Sequence, residues 1–252
     1  MQILFYMDDY GLNTGTNNNI NSVLLSDKNN IFGNIGVMAT GLAVPLKAAG
    51  RVNYGLHFDL MEIEPLSAGF KEYKKKKMPV NKSRLLLNLL SGRIDRKNII
   101  EELNAQYKYL QSKGFTIKYI DSHQNIHALP VISKCVAGFA AAKGLQGSIR
   151  STKHISFDFR KNFKMLVFDM LGDKNEKQTL VINCPGYGLE YYNVTEAVLR
   201  WKQFFLKAKR VGLAQLGIAC HPGLGLAESR IYTSLEFKKL LEENNIRIAR
   251  KE

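Results

Sequence analysis

Residues 2–11, QILFYMDDYG, combine an apolar run with an acidic pair and a closing glycine. The run Gln2–Met7 is typical of a buried strand, and residues 8–11 are typical of the turn that ends it. Further short apolar runs follow, and they alternate with segments whose apolar residues recur at helical spacing. This alternation over the full length predicts an α/β fold with a mostly parallel sheet. Seven or so strands in 252 residues fit a barrel-like or incomplete (β/α) barrel.

Composition narrows the class of protein to which the chain can belong. A hydrophobic content of 45% and an aromatic content of 10% exclude a disordered chain. The apolar runs are all shorter than the roughly 20 residues that a transmembrane helix needs. The opening run meets Asp8 and Asp9 too early to serve as the apolar core of a signal peptide. We therefore expect a soluble, cytoplasmic protein.

The positive charge is distributed unevenly along the chain. The whole chain has a net charge of +14, but residues 1–70 have a net charge of −3, because they hold three basic and six acidic residues. Residues 71–118 hold thirteen basic and four acidic residues. The excess begins at Lys74–Lys77, within residues 61–82, which we expect to form a long irregular connection. An excess of positive charge of this kind is typical of a surface that attracts an anionic partner. Before this region, residues 44–49 are expected to form a short helix.

Polar clusters stand at the ends of four predicted strands. They are Asp8-Asp9, the segment 57–59 that begins with His57, the segment 121–123 that ends with His123, and the segment 221–223 that begins with His221. In (β/α) barrels, the loops at the carboxyl ends of the strands carry the chemistry. Asp and His side chains suit a divalent metal that keeps positions open for water and substrate. We therefore predict one shared metal site, with magnesium or zinc both compatible.

The neighbouring carboxylates Asp8 and Asp9 can take separate roles only if the strand is interrupted. Adjacent residues of an extended strand face opposite ways, whereas a turn lets both approach one site. One carboxylate could then bind the metal while the other takes a proton from water, as metal-assisted hydrolysis requires.

Four motifs resemble those of the YdjC-like carbohydrate deacetylases, the chitooligosaccharide and hopanoid-associated type. Met7–Leu12 (MDDYGL) resembles the acidic motif near the amino terminus of that family. Residues 55–60 (GLHFDL), 121–127 (DSHQNIH) and 220–223 (CHPG) resemble the second, third and fourth motifs, in family order. Because the motifs span nearly the whole chain, the resemblance implies a single domain over residues 1–252. It also implies a distorted (β/α) barrel related to polysaccharide deacetylases.

The resemblance further implies a reaction and a set of site residues. The reaction is metal-dependent hydrolysis of an N-acetyl group on an amino sugar, with release of acetate. Asp9, His57 and His123 would hold the metal. Asp8 would be the general base and His221 the general acid.

Two more residues are candidates for contacts with the substrate or with the metal ligands. His127 lies four positions after His123, so the two would share a face if a helical turn follows the strand. Arg150, at the end of a predicted strand, resembles a family arginine near the site. Gln124 and Asn125 stand where the third motif often carries more histidine, which indicates different substrate contacts. A homodimer would also fit the resemblance.

Two other classes of function compete with a deacetylase. A metal-dependent phosphoesterase or nuclease on a related barrel would use Asp and His ligands and a basic surface. The sequence shows no second dense carboxylate cluster for a two-metal site. A noncatalytic carbohydrate-binding protein would need aromatic side chains that stack on sugars. Candidates for that stacking are Tyr187, Tyr191, Tyr192 and Trp201.

The charge excess lies outside the motifs that carry Asp8, Asp9 and His57. We therefore interpret it as a surface around the metal site and expect no nucleic-acid partner. An anionic or lipid-linked amino sugar remains a candidate substrate beside a neutral N-acetylated one.

Overall fold

The strands and helices follow one another in alternation over most of the chain. The computed structural model describes residues 1–28, 30–46, 52–76, 81–145, 149–150, 180–183, 194–210, 212, 214–224 and 227–249. The strands in these residues are β1 (Gln2–Tyr10), β2 (Asn34–Val37), β3 (Asn53–Phe58), β4 (Ile117–Ser122), β5 (Leu180–Asn183), β6 (Gln215–Cys220) and β7 (Arg247–Ile248). The helices are α1 (Thr14–Ser26), α2 (Ala68–Lys76), α3 (Lys82–Leu90), α4 (Arg96–Ser112), α5 (Pro130–Ala142), α6 (Val194–Arg210), α7 (Ala227–Thr233) and α8 (Leu235–Glu243). Two 3₁₀ turns, His123–Ala128 and Pro222–Leu224, follow β4 and β6.

One sheet contains all the described strands, in the order β4-β3-β2-β1-β6-β5, with β7 also paired to β1. Every pairing between these strands is parallel, which confirms the predicted α/β fold. The order follows the chain around the sheet and returns from β6 to β1, as it does in a (β/α) barrel. A parallel bridge between Ile120 and Ile149 continues the order beyond β4.

Strand β1 lies at the centre of the sheet and is buried on both faces. Eight of its nine residues are buried, the exception being Gln2. A parallel strand buried on both faces is expected to read as a continuous apolar run, as this one does up to Met7. The chain thus delivers Asp8 and Asp9 to the carboxyl end of a central, rigid strand.

Aromatic side chains fill the core between β1 and the last three helices. Phe5 lies with its ring centroid 5.0 Å from that of Tyr232, and Trp201 lies 5.9 Å from both Tyr232 and Phe237. Trp201 is fully buried in this cluster, so the prediction that it could stack on a sugar is wrong. The other aromatic candidates lie outside the described residues: Tyr187, Tyr191 and Tyr192.

The segment after β3 is more regular than the sequence predicts. Residues 61–82 contain helix α2, so the prediction of a long irregular connection is wrong. Ser67 begins the helix, because its hydroxyl accepts a hydrogen bond from the backbone N–H of Phe70 at 3.3 Å. Phe70, in the first turn of α2, is fully buried, and the helix lies against α4. Of the helix predicted for residues 44–49, residues 44–46 are not helical and the others lie outside the described residues.

Membrane-spanning helices need about 20 consecutive, mostly apolar residues. In the part of the chain that the structure describes, no helix combines the length and apolar character needed to cross a bilayer.

Candidate metal centre

A break in β1 brings both members of the acidic pair to the same site. Asp9 has a φ of 69°, in the left-handed region that non-glycine residues rarely adopt. The register between β1 and β2 shifts between Met7 and Tyr10, around this residue. The strand's alternation is therefore interrupted, and the Asp8 and Asp9 carboxylates both reach the carboxyl edge of the sheet.

Two imidazoles converge on the Asp9 carboxylate. Asp9 Oδ1 lies 3.1 Å from His57 Nε2 and 2.7 Å from His123 Nδ1. His57 comes from β3, and His123 opens the 3₁₀ turn after β4. One ligand atom from each of the three residues lies within 4.8 Å of the other two. The structure thus brings together the three residues predicted to hold the metal.

The charges of these residues reinforce one another. Burial alone would raise the pKa of Asp9, but hydrogen bonds from His123 and His57 hold it well below its ordinary value. Burial would lower the pKa of His57, but the Asp121 and Asp8 carboxylates raise it well above 6.5. The same balance, with Asp9 as the main partner, raises the pKa of His123. The centre therefore combines anionic oxygen with imidazole nitrogen in a largely buried place.

The donor set fits a divalent cation. One carboxylate and two imidazoles are ligands that zinc, magnesium and related ions accept, and three protein ligands leave positions open for water and substrate. Asp9 and His57 are buried, and the His123 side chain is 12% exposed, so the centre is reached from one side.

A second acidic group beside the centre is already neutralised by an arginine. Asp8, His57 and Asp121 also have ligand atoms within 4.8 Å of one another. Arg150 Nη1 lies 2.6 Å from Asp8 Oδ1 and 2.8 Å from Asp121 Oδ2, however. Arg150 Nη2 donates a second hydrogen bond to Asp8 Oδ2 at 2.8 Å. The guanidinium occupies the space between the two carboxylates, so this group does not fit a metal.

Asp121 links the arginine to a metal ligand. Its Oδ1 accepts a hydrogen bond from His57 Nδ1 at 2.7 Å, which turns Nε2 of the same ring toward Asp9. Carboxylates that bind the second nitrogen of a metal-binding histidine fix its tautomer and orientation. We did not predict this role from the sequence, although Asp121 stands in the same motif as His123.

Gly36, on β2, is packed against this arrangement. A Cβ atom there would lie 3.0 Å from His57 Nδ1 and 3.2 Å from Asp8 Oδ1. The floor of the centre therefore depends on a residue without a side chain.

His127 lies behind the centre, away from Asp9. Its Nδ1 accepts a hydrogen bond from the Ser122 hydroxyl, and its Nε2 donates one to the Arg150 carbonyl at 2.9 Å. Burial and the nearby Arg150 charge lower the pKa of His127 to about 4. His127 is therefore a neutral residue that supports the backbone of Arg150. Arg150 itself is buried and faces Asp8.

His221 borders the centre from the far side of β1. It follows β6 directly, and its Nε2 lies 3.7 Å from Asp8 Oδ2. The side chain is partly exposed, in contrast to the buried Asp8. The structure thus brings together the two residues predicted to move protons.

Glu62 is a further residue at the centre, and we did not predict it from the sequence. Its Oε1 lies 3.1 Å from His123 Nε2 and accepts a hydrogen bond from Gln124 Nε2 at 3.1 Å. The sequence feature that could have indicated Glu62 is its position three residues after Asp59, in the loop that follows the second motif.

Known proteins resemble this chain both in sequence and in structure. The chitooligosaccharide deacetylase of Salmonella typhimurium is 26% identical to this chain in an alignment that covers 95% of this chain and 94% of that protein. The chitooligosaccharide deacetylase of Yersinia enterocolitica is 24% identical over 212 residues, covering 77% of this chain and 75% of that protein.

A solved structure shares the fold. It is that of a proposed cellobiose-phosphate cleavage protein from Enterococcus faecalis V583, with a TM-score of 0.70 and 16% sequence identity. The superposition covers 99% of this chain and 97% of that one. The family model described as YdjC-like protein matches residues 2–243. This match, over nearly the whole chain, shows that the protein belongs to the YdjC-like family.

Proposed function

We propose that this protein is a metal-dependent hydrolase that removes an N-acetyl group from an amino sugar and releases acetate. The observation that carries the proposal is the convergence of His57 and His123 on Asp9, beside Asp8 and His221. The relatives named as chitooligosaccharide deacetylases support the reaction class and an N-acetylated sugar as substrate.

Asp9, His57 and His123 would hold the metal through one oxygen and two nitrogens. When bound, a divalent ion polarises a carbonyl and lowers the pKa of water, which amide hydrolysis near neutral pH requires.

Asp8 is proposed to take the proton of the attacking water. Arg150 donates one hydrogen bond to each carboxylate oxygen of Asp8 and thereby fixes the direction in which this carboxylate points. The C–N bond of the acetamide then breaks, and the nitrogen takes a proton from His221, because an amine leaves poorly as an anion.

The distance between the two proton-handling groups suggests how the site is reset. After one turnover Asp8 holds a proton and His221 lacks one. Asp8 Oδ2 and His221 Nε2 are 3.7 Å apart, so a short movement of the partly exposed His221 would let the proton pass between them.

The test is acetate release from a panel of N-acetylated sugars by the metal-loaded protein. The panel contains neutral chitooligosaccharides and phosphate-linked amino sugars, because the net charge of +14 favours an anionic substrate as well. Asp8→Asn and His221→Ala are each expected to lower the rate by a factor of about 10² to 10⁴. Glu64→Gln, an exposed change in the same protein, is the control.

Metal content, measured for each variant, separates loss of proton transfer from loss of the ion. Wild-type rates in both variants with metal retained would overturn the assigned roles. Release of phosphate instead of acetate from the phosphate-linked substrates would favour a phosphoesterase.

A further inference from the structure

The two histidines at the centre each have a carboxylate on the nitrogen that faces away from Asp9. His57 Nε2 faces Asp9, and His57 Nδ1 contacts Asp121 at 2.7 Å. His123 is turned the other way round: its Nδ1 faces Asp9, and its Nε2 lies 3.1 Å from Glu62 Oε1. Each imidazole therefore has Asp9 on one nitrogen and a second carboxylate on the other, but Nδ1 and Nε2 have opposite roles in the two rings.

We propose that Glu62 is a positioning residue of the metal centre. Its carboxylate accepts the Nε2 proton of His123 and thereby presents the Nδ1 lone pair on the side of Asp9. This inference rests on the proposed metal-dependent function. Without Glu62, the ring could rotate or exchange its proton between the two nitrogens, and fewer molecules would present a competent ligand.

The backbone of Glu62 is itself fixed by a buried carboxylate. Asp59 Oδ2 accepts hydrogen bonds from the backbone N–H groups of Glu62 at 2.6 Å and of Ile63 at 2.8 Å. Gln106, on α4, donates to the Asp59 carbonyl at 2.6 Å and accepts from the Asp59 N–H at 3.2 Å. The turn that carries Glu62 is thus anchored to a buried face of α4.

A second buried residue of α4 extends the same anchor. Glu102 is fully buried and accepts hydrogen bonds from the backbone N–H groups of Leu66 and Ser67, the shorter one at 2.7 Å. Gln106 Nε2 also contacts Glu102 Oε1 at 2.9 Å. The whole loop from Asp59 to Ser67 is therefore held by side chains, so that Glu62 is presented at a defined position.

The loop after β4 meets Glu62 from the other side. Gln124 has a φ of 51°, and its amide shares the Glu62 Oε1 acceptor with His123. Lys82, at the start of α3, donates a hydrogen bond to the Gln124 carbonyl at 2.7 Å. Left-handed backbone at a non-glycine residue persists where the surroundings determine it, and here it aims the Gln124 side chain at Glu62.

The test is zinc binding by the metal-free protein, titrated calorimetrically with zinc alone. Glu62→Ala is expected to weaken the affinity by a factor of about 10 to 100. Glu62→Gln keeps an oxygen that can accept a hydrogen bond from His123 Nε2, so its zinc affinity should lie between those of the wild type and Glu62→Ala. Glu64→Ala removes the same charge from the same loop two residues away and should bind as wild type does.

Nitrogen-15 NMR of the zinc-loaded protein adds a readout of the ring itself. In the wild type the His123 ring is expected to bind zinc through Nδ1 and to carry its proton on Nε2, whereas in Glu62→Ala a second population that binds through Nε2 is expected.

Two results would overturn the inference: wild-type zinc affinity in Glu62→Ala, and an equal loss of affinity in Glu64→Ala. If the first were accompanied by an increase of KM, Glu62 would instead be a substrate contact. The titration contains no substrate, so the effect of Glu62 on zinc affinity can be measured even if the protein releases no acetate from the sugars tested. If the wild type bound neither zinc nor, in a parallel titration, magnesium, the proposed metal-dependent function would be overturned as well.

Discussion

The two histidines of the candidate centre do similar chemistry in very different surroundings. The His57 side chain is 2% exposed, and the Asp121 carboxylate behind it is fully buried within the sheet. The His123 side chain lies at the rim, where the Glu62 carboxylate behind it is 44% exposed. We refer to these pairs as the buried pair, His57 and Asp121, and the rim pair, His123 and Glu62.

The difference in burial predicts that the two pairs contribute differently to folding stability and to metal binding. In the buried pair, Asp121 also contacts Arg150, which in turn holds Asp8, so one carboxylate serves a metal ligand and a proton acceptor together. In the rim pair, the Glu62 side chain contacts His123 and Gln124 of the turn after β4 within the described residues, so it can be altered without opening the core. We therefore expect changes in the buried pair to reduce folding stability and metal binding together, and changes in the rim pair to reduce metal binding alone.

The largest effect is expected from Asp121→Asn. The substitution preserves shape but leaves the buried Arg150 and His57 with less compensating charge. Removal of one partner of a buried ion pair costs about 3–5 kcal/mol of the free energy of unfolding. Urea denaturation measures this cost. Asp95→Asn is the control, because Asp95 caps the amino end of α4, where Asn serves equally well. A cost below about 1 kcal/mol for Asp121→Asn would remove the distinction between the pairs.

The second prediction concerns pH and the neutral His127 behind the buried pair. Its pKa in the folded protein is about 4, below the ordinary 6.5, because burial and Arg150 disfavour its charge, although Asp121 opposes them. The unfolded chain therefore binds this proton first, and stability falls as the pH drops from 6.5 to 4. Below the folded pKa the loss approaches about 3 kcal/mol.

His127→Gln, which retains a donor for the Arg150 carbonyl, isolates this contribution. Urea denaturation at several pH values should show a smaller decline between pH 6.5 and 4 in the variant than in the wild type. Parallel declines in the two proteins would contradict the prediction.

Gly36→Ala tests how closely the backbone of β2 packs against the buried pair. The added Cβ would lie 3.0 Å from His57 Nδ1, and overpacking of this kind costs about 1–3 kcal/mol. Gly138→Ala, in α5, is the matched control, because a Cβ there meets nothing within 4 Å. That control should raise the free energy of unfolding by about 0.5–1 kcal/mol. Equal effects of the two substitutions in thermal unfolding would show that the site floor tolerates a methyl group.

The smallest effect on folding is expected from Glu62→Ala. An exposed pair contributes little to stability, so the free energy of unfolding should change by less than about 0.5 kcal/mol. Urea denaturation with and without zinc would check both halves of the comparison. A loss of several kcal/mol without metal would place the rim pair in the same class as the buried one.

The frame of the site could be predicted because strand ends are visible as patterns in the sequence. Apolar runs that end at Asp8, His57 and His221 indicate that these side chains share one edge of a parallel sheet. Helix α2 was missed because its basic residues hide the apolar signal, leaving the Ser67 cap and the buried Phe70 as its marks.

The links between the site residues could not be predicted in the same way. The left-handed Asp9, the contact of Asp121 with Arg150 and the approach of Glu62 to His123 all depend on how separate loops meet in three dimensions. A single sequence shows which side chains stand at the sheet edge, but it does not show which carboxylate lies behind which imidazole.

The central place of β1 has a consequence for the synthesis of the protein. Gln2 pairs with Gln215, 213 positions later, so one edge of the first strand stays open while most of the chain is translated. Pairings this distant in sequence slow folding and leave an apolar strand available to other chains in the meantime. Asp8 can meet His221 only after β6 has left the ribosome. A nascent chain that lacks β6 would therefore need protection by chaperones and would hold only part of the candidate site.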